Sequence, residues 1–370
     1  MRIIITGQEG FIGYHLFHSL KYRHPELKLI EFKRTFFEDE NLIDKAFSKS
    51  DIIIHLAGVN RSEDQDYLYS ENTSLGQRII NSLKRINFKG KLIFASSTQE
   101  ELKNHYGKAK KTTRKLFYNE SINFGFDFIG LIIPNVYGPF CRPNYNSFIS
   151  TFCKNLINGN KNRIIEDKQI PLIYVGNLID EIVNSFSSRS NPKKIINEDT
   201  NIRVSEVNKI LEDFNNNYYS NGTIPNLDTE FKKNLFLTYI SYITIETFFP
   251  KKLQIFPDKR GLFGEVIRSG VSGQTSFSVT NPNQLRGQHF HIKKIERFTV
   301  ISGEATIEIR KVGTKSKKTF KLSAKEPSYI DMIPWHTHNI RNTGSVPIIT
   351  LFWINEFFNE NEPDTYSEKV

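Results

Sequence analysis

The sequence predicts an α/β domain built on a doubly wound parallel sheet, followed by an all-β jelly-roll barrel. The chain opens with a β-branched run, a glycine-rich turn and an apolar stripe at helical spacing, which is the order strand, turn, helix. After Pro250, short strand-like runs follow one another with turn residues between them and no helical periodicity. We therefore expect two domains, over residues 1–245 and 250–370.

The first turn of the chain carries three evenly spaced glycines, Gly7, Gly10 and Gly13. Glycines let a backbone approach a pyrophosphate closely, and the amides at the start of the next helix donate hydrogen bonds to it. The sequence here, TGxxGFIG, resembles the extended short-chain dehydrogenase/reductases (SDRs), which have a Rossmann-type sheet. That resemblance implies a nicotinamide cofactor bound along this turn, with Phe11 and Ile12 beside it.

The end of the second predicted strand indicates which nicotinamide cofactor the domain uses. An acidic residue there would bind the ribose hydroxyls of NAD, whereas cations suit the additional phosphate of NADP. Lys33 and Arg34 follow the strand and favour NADPH. Glu31 lies close to the position of the acidic residue, so NAD stays the alternative.

Residues 51–58, DIIIHLAG, predict a buried strand that ends in a turn of small residues. The segment resembles the stretch beneath the cofactor in extended SDRs, which places Leu56, Ala57 and Gly58 in cofactor contact. Asn72 falls where that family often has a structural asparagine.

A tyrosine and a lysine four residues apart predict the catalytic centre of this domain. Tyr106 and Lys110 share one face of a helix, so we expect the ammonium group to lower the pKa of the phenol. Ser97, at the end of the preceding strand, is placed to hydrogen-bond a substrate carbonyl, with Ser96 and Thr98 as alternatives one residue away. In extended SDRs the tyrosine passes a proton to the carbonyl oxygen while the nicotinamide passes a hydride to the carbon.

Residues 134–143, PNVYGPFCRP, resemble the segment at which extended SDRs begin their substrate region. The resemblance places Asn135, Arg142 and Asn144 at the binding site for a nucleoside diphosphate sugar.

The predicted barrel contains a set of side chains suited to a divalent metal. His289 and His291 are two residues apart, so both leave the same face of an extended strand. Glu296 follows them, and His338 comes from a distant strand. Three imidazoles and a carboxylate predict a divalent metal site, for which we expect zinc. His336 is the alternative to His338.

The spacing of these ligands resembles that of the cupins. Two departures from the cupin pattern are Asn283, which replaces a glycine, and Pro334, which lies one residue closer to His338 than usual. The stretch PDKRGLFGE at residues 257–265 also resembles the cupin-fold epimerases of nucleotide-linked 4-keto sugars. In those enzymes the residue matching His289 removes a proton beside the ketone, and Arg286 would contact phosphate.

Composition narrows the classes of function. The formal net charge is +10, but no nucleic-acid motif is present and the cations are dispersed, so we expect no nucleic-acid partner. A positive electrostatic field attracts anionic small molecules equally well. Two cysteines without a disulfide framework, no signal-like start and no long apolar run predict a cytoplasmic protein without membrane insertion.

Over its whole length the chain resembles the bifunctional reductase–cupin enzymes of capsular polysaccharide synthesis. That resemblance implies a UDP-linked 2-acetamido-2,6-dideoxy-4-keto hexose that the cupin epimerises at carbon 3 and the reductase then reduces with NADPH, on the route to UDP-N-acetyl-L-fucosamine. A homodimer is expected. The alternatives are a single-activity 4-epimerase or dehydratase with a structural cupin, and a non-catalytic nucleotide sensor.

Overall fold

The computed structural model describes residues 1–253, 255–258, 261–264, 266–267, 269, 273–356 and 359–370. Two compact units account for these residues. Unit 1 comprises Met1–Thr151 with Glu166–Val204, and unit 2 comprises Phe152–Ile165 with Ser205–Val370. The helices after residue 205 are therefore grouped with the β-rich part of the chain, whereas the sequence prediction had placed residues up to 245 with the first domain.

The elements of the first part of the chain alternate between strands and helices. In order they are β1 (Arg2–Thr6), α1 (Phe11–Arg23), β2 (Lys28–Ile30), α2 (Glu40–Phe47), β3 (Ile52–His55), α3 (Gln65–Arg85), β4 (Lys91–Ser97), α4 (His105–Phe124), β5 (Asp127–Ile133), β6 (Asn135–Tyr137), α5 (Phe148–Ile157), β7 (Gln169–Tyr174), α6 (Val175–Asn184), β8 (Asn191–Ile195) and β9 (Thr200–Arg203). Short 3₁₀ turns cover Arg34–Glu38 and Thr98–Glu101.

Unit 1 is built on a parallel six-stranded sheet in the order β2-β1-β3-β4-β5-β8. Strand β1 shows how the sequence produces two covered faces. Ile3 and Ile5 pack with Leu16 of α1 on one side, whereas Ile4 packs with Ile79 of α3 on the other. Continuous apolar runs are what a parallel strand needs when helices cover both faces. The predicted doubly wound sheet is confirmed.

A smaller sheet lies beside the carboxyl end of β5. Strands β6 and β7 are parallel, and β7 and β9 are antiparallel. Strand β6 begins only two residues after β5 ends, so the chain moves directly from one sheet to the other. Carboxyl ends of parallel strands form the ligand edge of such folds, and this transition places residues 134–145 next to that edge.

The remaining elements are three short helices, a π-helical turn and a series of strands. They are α7 (Val204–Phe214), the π-helical turn Asn215–Ser220, α8 (Glu230–Ile240), α9 (Ile245–Phe248), β10 (Lys251–Lys252), β11 (Ile255–Asp258), β12 (Gly261–Gly264), β13 (Gln274–Thr280), β14 (Leu285–Phe290), β15 (Glu296–Ser302), β16 (Glu304–Lys311), β17 (Lys317–Ser323), β18 (Ser328–Met332), β19 (His336–Asn342), β20 (Ile348–Ile354) and β21 (Tyr366–Ser367).

Most of the described strands of unit 2 form two antiparallel five-stranded sheets, β10-β18-β15-β20-β13 and β17-β16-β19-β14-β21, while β11 and β12 pair with each other. Neighbours in these sheets come from distant parts of the chain, as in a jelly roll: β15 lies between β18 and β20, and β14 pairs with β19. In β16 the apolar residues Ala305, Ile307 and Ile309 are buried in strict alternation. This is the period-two pattern of a sheet with one covered face. The predicted all-β barrel is confirmed.

Helices precede the barrel strands in unit 2 and pack on one of its sheets. Tyr218, from the π-helical turn, donates a hydrogen bond to Asp331 of β18 (2.5 Å), and Asp331 also binds Arg297 of β15. The apolar segment 234–249 is largely buried, as its aromatic content predicts. Among the described residues, no helix combines the length and the apolar character needed to cross a membrane.

Candidate active sites

The glycine-rich turn of unit 1 brings three backbone segments unusually close together. Gly7 has φ +78°, and a Cβ atom on it would lie 2.8 Å from the backbone nitrogen of Ala57. A Cβ on Gly13 would lie 2.0 Å from the carbonyl oxygen of Gly7. Gly10 directly precedes α1 and donates a hydrogen bond from its N–H to Gly7 (3.0 Å). The turn is therefore closed by backbone contacts that only glycine permits, and helix α1 begins at its exit.

Residues 56–58 follow β3 and lie against this turn. A Cβ on Gly58 would meet the amide oxygen of Asn72 at 2.5 Å. Asn72 accepts a hydrogen bond from Val59 N–H and donates to the carbonyls of Val59 and Leu68. Asn72 thus fixes the turn after β3, which is the structural role that the sequence predicts. Leu56 and Ala57 contribute the backbone against which Gly7 packs.

Lys33 and Arg34 are exposed in the loop after β2. The Lys33 ammonium lies 3.5 Å from the carboxylate of Glu31, which is also exposed. Because both cations are exposed and the pair with Glu31 is weak, Lys33 and Arg34 are accessible to an anion at this edge of the sheet. The geometry is compatible with the predicted recognition of a phosphate, and the assignment stays a prediction.

The structure separates the two serines at the end of β4. Ser96 is buried and donates its hydroxyl hydrogen bond to Glu100, whose carboxylate binds Arg114 through two bonds of 2.7 Å each. Ser97 is partly exposed at the carboxyl end of the strand, and its hydroxyl accepts a bond from Gln99 N–H (3.2 Å). Ser96 therefore belongs to the buried hydrogen-bond network with Glu100 and Arg114, while the hydroxyl of Ser97 lies at the ligand edge of the sheet.

Tyr106 and Lys110 lie in the first two turns of α4, on the same face. The Lys110 ammonium is buried, donates to the carbonyl of Ala95 in β4 (3.0 Å), and lies 5.7 Å from the centre of the Tyr106 ring. Burial lowers the pKa of Lys110 to about 8, against the opposing charge of Glu100.

One expectation about this pair is wrong. Burial raises the pKa of the Tyr106 phenol, and nearby Tyr145 acts in the same direction, whereas the sequence analysis expected Lys110 to lower it. Sequence spacing gives the proximity of the two groups but not the loss of solvent around them. A protonated phenol is nonetheless the form that donates a proton to a carbonyl oxygen.

The predicted sugar-lobe residues are exposed near this edge. Asn135 opens β6 and donates its side-chain amide to the carbonyl of Pro171 (3.2 Å). Arg142 lies with its guanidinium 5.2 Å from the centre of the Tyr145 ring. Asn144 has φ +56°, a conformation that Asn tolerates, and its backbone N–H donates to Thr151. Arg61, which the sequence analysis missed, binds the carbonyl of Tyr145 (3.1 Å) and so ties the loop after β3 to this lobe.

In unit 2 the structure brings the four predicted metal ligands together. Ligand atoms of His289, His291, Glu296 and His338 all lie within 4.8 Å of one another. One carboxylate oxygen of Glu296 is 3.2 Å from His291 Nε2 and 3.3 Å from His338 Nε2. A β-bulge between Gly287 and His289 turns the end of β14 toward this cluster.

The donor set fits a divalent metal. His291 Nε2, Glu296 Oε2 and His338 Nε2 are buried atoms with no hydrogen-bond partner. The other ring nitrogens face backbone carbonyls: His291 Nδ1 is 2.6 Å from Asp364 O, and His338 Nδ1 is 3.2 Å from His336 O. Because a carbonyl can only accept, each Nδ1 carries the proton and each Nε2 directs its lone pair at the cluster. Unpaired lone pairs converging in a buried space are what a bound cation satisfies.

The ionisation of these groups follows from their burial and mutual contacts. Burial, with the neighbouring imidazoles His338 and His291, lowers the pKa of His289 to about 4. Burial opposes ionisation of Glu296, but the adjacent imidazoles of His291 and His338 lower the pKa of its carboxyl below the usual range.

Two other groups near the cluster, His336 and Arg297, do not belong to it. The Nδ1 atom of His336 lies 2.9 Å from the carbonyl of Pro334, and this residue is not in the four-residue cluster, so the choice between His336 and His338 favours His338. Arg297 directs its guanidinium at Asp331 (2.8 and 3.0 Å) and at the carbonyl of Gly222 (2.9 Å).

One departure from the cupin pattern, Asn283, has a local explanation. Asn283 has φ +63°, so it adopts the left-handed conformation that the usual glycine would supply. Asn342 donates to the carbonyls of Thr280 and Val346, which closes the adjoining turns.

Arg286 binds the Thr280 hydroxyl (2.9 Å) and the Val279 carbonyl (3.0 Å) from an exposed position. In the epimerase-like stretch 257–265, Arg260 and Glu265 lie outside the described residues.

Comparison with known proteins gives each unit a family context. Residues 3–197 match the NAD dependent epimerase/dehydratase family, and this match covers more than half of the chain. The chain belongs to the NAD dependent epimerase/dehydratase family. Residues 256–366 match a second family, described as the polysaccharide biosynthesis C-terminal domain. This member of the epimerase/dehydratase family therefore has a second domain, whose family is described as a polysaccharide biosynthesis domain.

Two proteins resemble this family member from end to end. The UDP-2-acetamido-2,6-beta-L-arabino-hexul-4-ose reductase of Pseudomonas aeruginosa is 29% identical over 377 residues, which cover 100% of this chain and 99% of the relative. The crystal structure of the capsular polysaccharide assembling protein CapF from Staphylococcus aureus is 30% identical, with a TM-score of 0.62 and 100% of both chains covered. The predicted whole-length resemblance is confirmed.

A third likeness concerns the fold of the reductase part. The crystal structure of UDP-glucose 4-epimerase from Thermotoga maritima aligns with a TM-score of 0.52 at 20% identity, over 58% of this chain and 83% of that one. It supports the assignment of the Rossmann-type fold.

Proposed function

We propose that this chain catalyses two successive steps on a UDP-linked 2-acetamido-2,6-dideoxy-4-keto hexose. The barrel site epimerises carbon 3, and the site of unit 1 reduces the 4-keto group with NADPH, on the route to UDP-N-acetyl-L-fucosamine. The observation that carries the proposal is the presence in one chain of the Ser97–Tyr106–Lys110 arrangement and the buried His289–His291–Glu296–His338 cluster. Full-length similarity to a UDP-sugar 4-ulose reductase and to CapF supports it.

In the reductase site the protein's own groups position the ketone and supply a proton. Ser97 directs its hydroxyl at the carbonyl oxygen from the carboxyl end of β4, and Tyr106 donates its phenolic proton to the same oxygen. Lys110, held by the carbonyl of Ala95, keeps a cation beneath the tyrosine. NADPH, when bound along the glycine turn, supplies the hydride, and Lys33 and Arg34 would face its additional phosphate.

In the barrel site the chemistry depends on the acidity that the ketone confers on its neighbour. A proton at carbon 3 is acidified by the 4-keto group, so a base can remove it and a proton can return on the opposite face. His289, His291, Glu296 and His338 would hold a divalent metal, and their nitrogen-rich donor set favours zinc. Such a metal supplies Lewis-acid stabilisation of developing negative charge on oxygen.

The order of the two steps follows from the same acidity. Epimerisation requires the ketone, and reduction removes it. A product reduced at carbon 4 therefore no longer inverts at carbon 3, and the reductase step fixes the new configuration.

The test compares variants of the full-length protein with the 4-keto UDP-sugar generated in place. Tyr106→Phe removes the proton donor, and we expect NADPH oxidation to fall by roughly 10²–10⁴-fold while NADPH binding persists. Tyr118→Phe, on the exposed face of the same helix, is the matched control and should leave turnover unchanged.

The second arm replaces His338 with Ala, which removes one ligand of the cluster. We expect metal content to fall and NADPH oxidation to fail with the unepimerised sugar but to be restored by pre-epimerised sugar. Wild-type turnover of the Tyr106→Phe variant would contradict the reductase assignment. Wild-type turnover of the His338→Ala variant on the unepimerised sugar would contradict the barrel assignment.

A further inference from the structure

We propose that Asp364 is a positioning residue for the metal cluster, holding both the His291 ring and the turn that connects His291 to Glu296. The inference rests on the proposed metal site and extends it to a part of the chain outside the ligand motifs. Asp364 is separated from His291 by 73 residues in sequence.

The backbone of Asp364 sets the tautomer of His291. The Nδ1 atom of this histidine lies 2.6 Å from the Asp364 carbonyl oxygen, and the ring is buried. A carbonyl oxygen accepts only, so Nδ1 carries the hydrogen and Nε2 keeps its lone pair. That lone pair faces the cluster, with Nε2 at 3.2 Å from Glu296. Partners of this kind fix ring orientation and raise the basicity of a metal-binding imidazole.

The side chain of Asp364 holds the connecting turn. Its carboxylate accepts hydrogen bonds from three consecutive backbone N–H groups, those of Ile292 (3.1 Å), Lys293 (2.7 Å) and Lys294 (2.9 Å). Consecutive N–H groups that converge on an anion form a concave backbone site, and bonds to a carboxylate are stronger than neutral ones. This turn spans the interval between two ligands, so the same residue places His291 and the start of β15.

The segment that carries Asp364 is itself held against the ligand strand. Lys294 donates its ammonium to the carbonyl of Pro363 (2.8 Å), and the rings of Tyr366 and Phe290 are stacked with centroids 5.3 Å apart. In β21, Ser367 pairs with His289. Asp364 has φ +44°, a left-handed conformation that aspartate adopts more readily than most residues.

These contacts explain why an aspartate suits this position. A short carboxylate reaches three amides while its own carbonyl, turned by the left-handed backbone, reaches the imidazole. Alanine would lose the side-chain contacts and relax the position of the carbonyl. Asparagine would keep one acceptor oxygen and should retain part of the effect.

The experiment measures Zn²⁺ affinity of full-length variants by competition with a chromophoric chelator. We expect Asp364→Ala to bind Zn²⁺ about 10–100-fold more weakly than wild type, since loss of a hydrogen-bond partner of a metal ligand typically has an effect of this size. The affinity of Asp364→Asn should lie between those of wild type and Asp364→Ala. The matched control is Glu368→Gln, which changes the same segment at a side chain that pairs with Arg310 of β16. It should bind Zn²⁺ with wild-type affinity.

A folding readout separates positioning from general damage. Trp335 and Trp353 are the two tryptophans of the chain and both are buried in the barrel, so tryptophan fluorescence reports on barrel folding. The inference requires that folded Asp364→Ala protein shows the lowered affinity and an altered visible spectrum when loaded with Co²⁺. Unchanged affinity in Asp364→Ala would overturn the inference, as would an equal loss in Glu368→Gln. Wild-type protein that binds no metal would overturn the metal site itself.

Discussion

Each of the two candidate sites has a buried arginine–carboxylate pair beside it, and the two pairs are assembled differently. In unit 1, Arg114 binds Glu100 across 14 residues of sequence, and Ser96, the neighbour of Ser97, joins the pair. In unit 2, Arg297, the neighbour of Glu296, binds Asp331 across 34 residues, and Tyr218 reaches Asp331 across 113. The first pair joins neighbouring elements and has one longer-range bond, from Arg114 to the carbonyl of Pro192 (2.9 Å), whereas the second pair gathers contacts from several distant segments of unit 2.

This difference determines what each site depends on. The serines, Glu100 and Arg114 lie on one strand, one turn and one helix that follow each other directly, and Arg114 also binds the carbonyl of Pro192. The groups around Glu296 depend on β18, on the π-helical turn at Asn215–Ser220 and on the Asp364 segment. Changes far from the barrel ligands should therefore disturb that site more readily than comparable changes disturb the reductase site.

The largest expected effect comes from breaking the barrel pair. Asp331→Ala leaves Arg297 buried without a carboxylate and removes the acceptor of the Tyr218 hydroxyl. Loss of one partner of a buried pair costs about 3–5 kcal/mol, so we expect the free energy of barrel unfolding to fall by that amount. Urea titration followed by tryptophan fluorescence measures it, since both tryptophans lie in the barrel strands and turns.

The matched change in unit 1 is Glu100→Ala, which leaves Arg114 without its carboxylate. With pre-epimerised sugar, it should lower NADPH oxidation while Zn²⁺ content and the fluorescence transition stay at wild-type values. Under the same conditions Asp331→Ala should show the reverse. A Glu100→Ala protein that loses metal to the same extent as Asp331→Ala would break the comparison, because the two networks would then not be separate.

A smaller effect is expected at Asn283, where a substitution acts through the left-handed backbone conformation. Asn283 adopts φ +63°, which a Cβ-bearing residue other than Asn or Asp adopts only at a cost of roughly 1–2 kcal/mol. We expect Asn283→Ala to lower barrel stability by about 1 kcal/mol and Asn283→Gly to leave it nearly unchanged. The same urea titration resolves the two. Equal stability of the alanine and asparagine proteins would show that backbone strain at this turn is absent.

The sequence predicted the parts of the molecule that depend on short-range spacing. Periodicity and motif distance predict the glycine turn and the order of strands and helices. They also predict the shared face of Tyr106 and Lys110 and the convergence of the four barrel ligands. The choice between His336 and His338 could not be predicted from spacing, because neighbouring histidines of one strand differ only in their contacts.

Two properties depend on tertiary contacts that spacing does not contain. The pKa of Tyr106 is raised because the folded chain removes water from the phenol, and no residue interval encodes that burial. Asp364 acts at a distance of 73 residues from His291, without a motif that links them. Only the folded barrel brings β21 beside β14.

The central claim is that the barrel exchanges a proton on the sugar independently of the reductase step. The measurement is mass spectrometry of the 4-keto UDP-sugar after incubation in D₂O with the Tyr106→Phe protein. The proposed account predicts one deuterium at carbon 3 without NADPH oxidation, and none when His338→Ala is added to Tyr106→Phe. No deuterium above the enzyme-free control with metal-loaded Tyr106→Phe protein would contradict it.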